Sequence, residues 1–327
     1  MKKTLVLMNA RWPQARFYIN NCESKNADVD SVYFLKKKDL VYKLAALHMQ
    51  YLKSPLQSIW YGKWKKHLSD YSQIIVFNAM LSPKILDYIH KRTDAKIIFW
   101  YWDTIDNKGN KLLPKYYSSF CEQWSFDTQD CIKYSFYNNI QFYIPLKTQG
   151  RIPQSLNNLA TVKEDAKIGN KIFKYDFLIV MRDKGRYEVL SELTEYLCNL
   201  GYTVFTRIIS DKETKNTSLP YIGKEISYES LVHLTLDSKC IIELVKDGQT
   251  GLTLRSMESI FYEKKLITNN KLIQNEEFYN PANVMMFDDI KDASQLKSFM
   301  DTAYIPVEKS VVEKYTFECW LNNFSQR

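Results

Sequence analysis

A chain of 327 residues, 45% hydrophobic and 25% charged, has room for two ordinary domains and does not read as a disordered polypeptide. Its net charge of +8 suits anionic ligands such as nucleotide diphosphates, phosphorylated glycans or an anionic membrane surface. No zinc-finger spacing, basic-helix pattern or RNA-binding aromatic signature accompanies that charge, so nucleic acid is not an expected partner.

The six cysteines (Cys22, Cys121, Cys131, Cys198, Cys240 and Cys319) contain no C-x-x-C pair, which argues for reduced thiols in a cytoplasmic protein. The apolar run within residues 1–9 is too short for a signal peptide and reads as a strand. No run approaches the length of a transmembrane helix, so any membrane contact is expected to be peripheral.

In chain order, Thr4–Met8 predicts a first strand that ends in a loop at Asn9–Pro13, and Ser31–Leu35 a second strand. Leu40–Tyr51 has helical spacing, with Leu40, Leu44, Leu47 and Tyr51 on one face. Leu56–Leu68 reads as another helix, carrying alternating aromatics and lysines from Trp60 to His67. That stretch suits a membrane interface or sugar stacking, or equally an amphipathic helix with its aromatic side buried. Ile74–Phe77 is a buried strand, and Ser82-Pro83 starts a helix. Ile97–Trp102 is the most apolar strand of this half and ends at Asp103. Further strands are read at Trp124–Phe126 and Gln141–Ile144.

Residues 147–170 are polar, with Gly and Pro and no periodicity, and look like a linker. Alternation then resumes: a strand at Tyr175–Val180, a helix at Tyr187–Leu200 closed by Gly201, and a strand at Thr203–Ile208. Ser227 starts a helix leading to the stretch around which the chain is organised, Lys239–Asn270. There, Ile241, Ile242, Leu244 and Val245 form a buried strand and Gln249-Thr250-Gly251 a turn, with Thr250 able to cap the next helix. Leu254, Met257 and Phe261 follow at helical spacing, and Leu266–Thr268 is the next strand. Val284–Phe287, a helix at Ala293–Thr302 and a helix at Val311–Phe324 complete the chain. The pattern predicts an α/β fold of two doubly wound, Rossmann-type parallel-sheet domains facing a cleft. The boundaries are 1–150, a linker at 151–170, 171–308, and a terminal helix at 309–327 that packs back on the first domain.

Chemistry is expected where strands end. Arg182, Lys184 and Arg186 follow the first strand of the second domain and can neutralise a diphosphate; the alternative is a solvated turn. Glu258 can accept from both hydroxyls of a ribose or pair with Arg255 at i,i+3. Asp103 is the candidate base for an acceptor hydroxyl, against a role capping the next turn with Thr104. Arg11 and Arg16 can hold an anionic acceptor. Asp127 and Asp130 read as opening a helix. The four histidines (His48, His67, His90 and His233) fall in helical segments and form no metal-ligand pair.

DGQTGLTLRSMESIFYEKKLITNN resembles the donor-binding segment of bacterial GT-B glycosyltransferases encoded in lipopolysaccharide and capsule loci. IIFWYWDTI with WSFDTQDCIKY is similar to that group's N-terminal domain, and FLIVMRDKGRYEVL to the start of its nucleotide-binding domain. The resemblance implies a metal-independent hexosyl- or deoxyhexosyltransferase with no cofactor besides its nucleotide-sugar donor. The acceptor would be a lipid-linked or phosphorylated glycan (core, O-antigen or capsule), met at the inner membrane by a peripheral, cytoplasmic protein. It puts Glu258 at the ribose-binding place and lines the sugar site with Thr250, Gly251, Leu252 and Thr253.

Retaining members carry two glutamates with seven residues between them. Thr250 occupies the first place, so that acid is missing and Glu243 is its candidate substitute, against a structural role at its strand's end. The small residue usual after the helix is replaced by Glu263. A sugar-nucleotide epimerase of the same architecture, and a non-catalytic glycan-assembly partner that keeps the fold, are the rival readings.

Overall fold

The computed structural model describes residues 3–35, 40–51, 55–105, 112–146, 173–210, 219–245 and 250–324. The expected linker at 147–170, and Gln249, lie outside them. The chain divides into two compact units, Met1–Ile140 with Leu321–Arg327, and Gln141–Trp320.

In the first unit the strands are β1 (Lys3–Met8), β2 (Ala27–Ser31), β3 (Tyr71–Phe77), β4 (Lys96–Tyr101), β5 (Cys121–Ser125) and β6 (Tyr137–Asn138). They form one parallel sheet in the order β2-β1-β3-β4-β5-β6. Val6 lies opposite Ile75, and Ile75 opposite Ile98. These central residues are buried on both faces, which is why they read as continuous β-branched runs. The helices are α1 (Pro13–Asn21), α2 (Leu40–Ala46), α3 (Lys84–His90) and α4 (Thr128–Tyr134). Pro13 opens α1, its missing N–H costing nothing at a helix start; the stretch after β1 is therefore a short turn into a helix. Asp127 caps α4 by accepting from the amides of Gln129 and Asp130, as the sequence suggests.

Three expectations in this unit are corrected. The second strand sits at Ala27–Ser31, with Val32, Tyr33 and Leu35 buried after it. Residues 56–68 form three-residue-pitch turns at Gln57–Trp60 and Lys63–Lys66 in place of a helix. Gly62 explains the break: its backbone is extended, and a Cβ there would lie 2.5 Å from the Ser31 carbonyl oxygen. The aromatics of this stretch pack inward, Trp64 buried with its indole N–H on the Val32 carbonyl at 3.1 Å. Finally, α2, extended by a π-helical turn at Leu47–Tyr51, turns Tyr42, Ala45 and Met49 to the core; Leu40, Leu44 and Leu47 face outward.

The second unit holds β7 (Tyr175–Arg182), α5 (Tyr187–Asn199), β8 (Val204–Ile209), β9 (Ile222–Gly223), α6 (Tyr228–Leu236), β10 (Ser238–Glu243), α7 (Leu254–Phe261), β11 (Lys265–Thr268), β12 (Val284–Met286) and α8 (Ala293–Asp301). Its parallel sheet runs β12-β11-β10-β7-β8-β9. The chain leaves β7 toward one edge and later returns to build the other from β10, so a topological switch point falls between β7 and β10. The apolar sides of α5 and α8, including Leu190, Leu197, Leu296 and Phe299, cover one core cluster with Phe177, Ile179 and Ile242.

The expected strand at Gln141–Ile144 is absent; Tyr143 makes a single parallel bridge to Thr316. The expected terminal helix is two, α9 (Lys309–Lys314) and α10 (Phe317–Asn323), separated at Tyr315-Thr316. Beyond α10, Phe324 packs against Trp124 and Trp100 of the first unit, ring centroids 4.8 and 6.0 Å apart.

Candidate functional site

The switch point of the second unit is built from three short segments. The first follows β7. Lys184 and Gly185 both take positive φ (46° and 81°), and the Arg186 amide closes on the Asp183 carbonyl at 2.8 Å: a tight turn of the type that needs two left-handed residues. Gly185 enters that conformation at no steric cost. The Asp183 carboxylate accepts from the amides of Arg186 and Tyr187, which fastens the turn to the start of α5.

Arg186 does not reach outward from this turn. Its guanidinium donates to the carbonyls of Asp183 (3.2 Å), Arg182 (2.7 Å) and, across the switch point, Leu244. The expectation that it contacts a diphosphate directly is therefore revised: Arg186 stitches the ends of β7 and β10 and leaves a fixed positive charge there. Arg182 is half-exposed and pairs with Glu225 at 2.6 Å. Lys184 is exposed at the turn's tip.

The second segment follows β10. Glu243, the last residue of that strand, is buried, and three hydroxyls hold its carboxylate: Thr253, Ser256 at 3.2 Å and Thr268 at 2.9 Å. Thr268 is its register partner on β11. Burial lifts the Glu243 pKa above the free value of 4.5, opposed by these hydroxyls and by Arg255. This is the strand-end structural role weighed for it; with both oxygens engaged, Glu243 is not presented as an acid to a ligand.

The third segment is Thr250-Gly251-Leu252-Thr253 and the first turn of α7. The cap is Thr253, not Thr250: its hydroxyl oxygen accepts from the Arg255 amide at 3.0 Å while its proton goes to Glu243. Leu252 and Gly251 are buried. The N-terminus of α7, with its partial positive charge, is thus clamped to the carboxyl edge of the sheet by one acid.

Glu258, expected at a ribose, is completely buried. Its carboxylate accepts from Tyr228 at 2.5 Å and from Arg255. Tyr228 lies 3.5 Å from the Tyr143 hydroxyl, which bonds that of Tyr262 at 3.2 Å. The i,i+3 pair weighed as the alternative is what forms, and this arrangement offers no Glu258 oxygen to a ligand. Arg182 and Glu258 accordingly have separate partners. Arg255 is the residue that sequence reasoning undervalued. Its side chain, in the first turn of α7, is tied to Glu258 and 18% exposed. The hydroxyl set was legible as Thr253-x-x-Ser256 with Thr268 around an acid in an apolar strand, but only once Glu243 was known to need donors.

At the end of α7, Glu263 takes φ 52°, and the Lys264 amide reaches back to the Ser259 carbonyl at 2.8 Å. That is the helix-terminating turn in which a left-handed residue, usually Gly, is favoured. The sequence departure at Glu263 thus coincides with a strained backbone position.

The first unit has its own switch point, between β1 and β3. Asn9 spans it, donating to the Ala79 carbonyl at 2.8 Å. Arg16 bonds the carbonyls of Ala10 and Arg11, and Arg11 lies over the Tyr42 ring and donates to its hydroxyl at 3.1 Å. Asp103, after β4, accepts from the Thr104 amide at 3.0 Å, as in the capping alternative. A cavity of about 730 Å3, bordered by His90 stacked on Phe120, by Lys96 and by Glu122, opens at the opposite, amino edge of β4 and β5. It is remote from the carboxyl edge at which α/β sheets hold ligands. Among the described residues no group of three or more His, Cys, Asp and Glu side chains is placed to hold a metal, and no helix is long and apolar enough to cross a membrane.

No protein-family model matches the sequence, and no curated protein matches it. Solved structures do. An alpha-glucosyltransferase in complex with UDP and a 13-mer DNA containing a central A:G mismatch aligns over 99% of this chain and 98% of its own, at TM-score 0.59 and 10% identity. The same coverage holds for an alpha-glucosyltransferase with UDP-glucose and DNA containing an abasic site (TM-score 0.58, 11% identity). It holds again for one with UDP and DNA containing a HMU base (0.56, 11%). The fold is GT-B. The two expected Rossmann-type sheets are present, and at such low identity the likeness extends to fold alone.

Proposed function

We propose that this chain is a glycosyltransferase, and that the switch point between β7 and β10 receives the diphosphate of its nucleotide-sugar donor. The observation that carries the reading is the fixed positive charge there: Arg186 bonded across both strand ends, beside an α7 N-terminus held by Glu243. Such a place favours anions because its dipoles need no rearrangement on binding.

Arg182 and Lys184 contact the phosphates, Arg182 exchanging Glu225 for the ligand, and Thr250 to Thr253 line the sugar. Arg255 replaces Glu258 as the group facing the donor, while Glu258 and Glu243 hold Arg255 and the helix in position. Asp103, carried by the first unit, takes the acceptor's proton. Transfer is metal-independent, to a lipid-linked or phosphorylated surface glycan, by a protein peripheral to the cytoplasmic face of a membrane.

A second acceptor, modified DNA, is favoured by the net charge of +8 and by the DNA bound in the structural neighbours.

Thermal-shift screening against a panel of nucleotide-sugars tests the donor site. One member should raise the melting temperature by mass action, and Arg182→Ala should weaken that ligand about tenfold or more while folding stays intact. If none binds at millimolar concentration, the reading fails. With the donor known, labelled-sugar transfer to lipid-linked glycan or to HMU-containing DNA separates the two acceptors. Conversion of the donor with no acceptor present would indicate an epimerase.

A further inference from the structure

The 30 residues from Leu40 to Ser69 contain five lysines and no aspartate or glutamate. Within them α2 is apolar on both sides. Tyr42, Ala45 and Met49 fill the core, while Leu40, Val41, Leu44 and Leu47 lie on the outer face, Leu40 at 71% exposure. The neighbouring turn adds Leu56 (74%) and Ile59 (52%), and Phe34 stacks on Trp60 at 6.0 Å with its own ring half in solvent. Trp60 donates to His48 of the π-helical turn at 2.7 Å, and Lys65 donates to Ser58 beside Ile59 at 2.7 Å. The first bond ties the 56–66 segment to the end of α2, and the second braces the segment internally. Lys43, Lys63 and Lys66 are exposed on the same two segments.

A helix apolar on both sides is ordinarily buried on both; here, among the described residues, the outer side chains Leu40, Val41, Leu44 and Leu47 are 43–71% exposed. From this we infer that the outer face of α2, with Leu56, Ile59 and Phe34, docks on a bilayer of anionic phospholipid. The charge decides the occupant: exposed apolar side chains beside the exposed Lys43, Lys63 and Lys66, on a 40–69 stretch that contains no acidic residue, match the interface of an anionic leaflet, where each lysine adds attraction and the leucines enter the acyl boundary. The inference deepens the proposed function by giving a lipid-linked acceptor a place to be met. Its test uses no donor, so the two can fail separately.

Full-length protein is sedimented with vesicles of phosphatidylglycerol and phosphatidylcholine, and with vesicles of phosphatidylcholine alone. Binding to the mixed vesicles should exceed binding to the neutral ones about tenfold or more and fall with salt. Leu44→Glu with Leu47→Glu should reduce it by about tenfold or more at unchanged melting temperature, since both side chains already face water. Equal binding by variant and parent, or no binding to either vesicle, overturns the inference. So does a concentration-dependent dimer that the double variant makes monomeric, because the face would then belong to a second copy.

Discussion

The two switch points are built alike and charged differently. In the first unit a neutral amide, Asn9, spans the gap to the Ala79 carbonyl. In the second, the guanidinium of Arg186 spans it to Leu244, and two buried carboxylates, Glu243 and Glu258, stand nearby with their donors. Asn9 reaches one carbonyl across its gap and Arg186 three carbonyls at and across its own, so spanning the gap does not by itself require a cation. A buried ionic network costs desolvation that an amide does not, and the second unit carries it where the first does without. The donor site proposed above falls in the unit that carries this network.

The largest expected effect that sharpens this contrast comes from Glu258→Ala. It leaves Arg255 mostly buried without its partner and should cost about 3–5 kcal/mol in urea denaturation, whereas Asn9→Ala loses two neutral bonds, to the Ala79 carbonyl and from the Arg11 amide, about 2 kcal/mol. Equal costs would remove the distinction between the two sites. Thr253→Val takes away the cap of α7 and one hydroxyl from Glu243, for an expected loss of about 1–2 kcal/mol, along with weaker donor binding in the thermal-shift assay. Glu263→Gly acts in the opposite direction. It relieves the left-handed strain and removes a buried carboxylate oxygen that has no hydrogen-bond partner, so the protein should gain about 1 kcal/mol.

A graded effect follows from pH. Because burial raises the Glu243 pKa, the folded chain holds that proton more tightly than the unfolded one. The contribution is fully present below the free value of 4.5 and is lost as pH rises through the folded pKa. Glu243→Gln has no such titration, so its melting temperature should gain on the parent's as pH rises from about 4.5. A constant difference across that range would mean that the carboxyl is not held protonated.

How far the residues alone foretell these arrangements depends on what each pattern constrains. The β10–α7–β11 unit was readable because Ile241, Ile242, Met257, Phe261, Leu266 and Ile267 satisfy strand and helix periods with one buried solution. The α2 face was misassigned because that helix is apolar on both sides, and periodicity cannot say which stripe meets the core. Residues 56–68 looked helical by composition, but Gly62 sits against the Ser31 carbonyl, a contact between distant segments that no local window contains. At the candidate site, charge type and strand-end position single out Arg182, Lys184 and Arg186, but do not say where their guanidinium and ammonium groups point. Arg186 turns inward because two strand ends leave carbonyls needing donors, and that need appears only when β7 and β10 are side by side.

The return of the chain to its starting unit has a consequence for biogenesis. Phe324 fills the space against Trp100 and Trp124, its carbonyl accepts from Lys96 at 3.3 Å, and Asn323 bonds Asn139 at 2.8 Å. Residues 1–140 therefore emerge from the ribosome with two indoles unsheltered and wait for a segment made about 180 residues later. At ordinary elongation rates the wait is on the order of 10–40 s. During it the nascent first sheet is a client for whatever chaperone binds exposed aromatics, and that unit is completed only when Asn323 and Phe324 arrive.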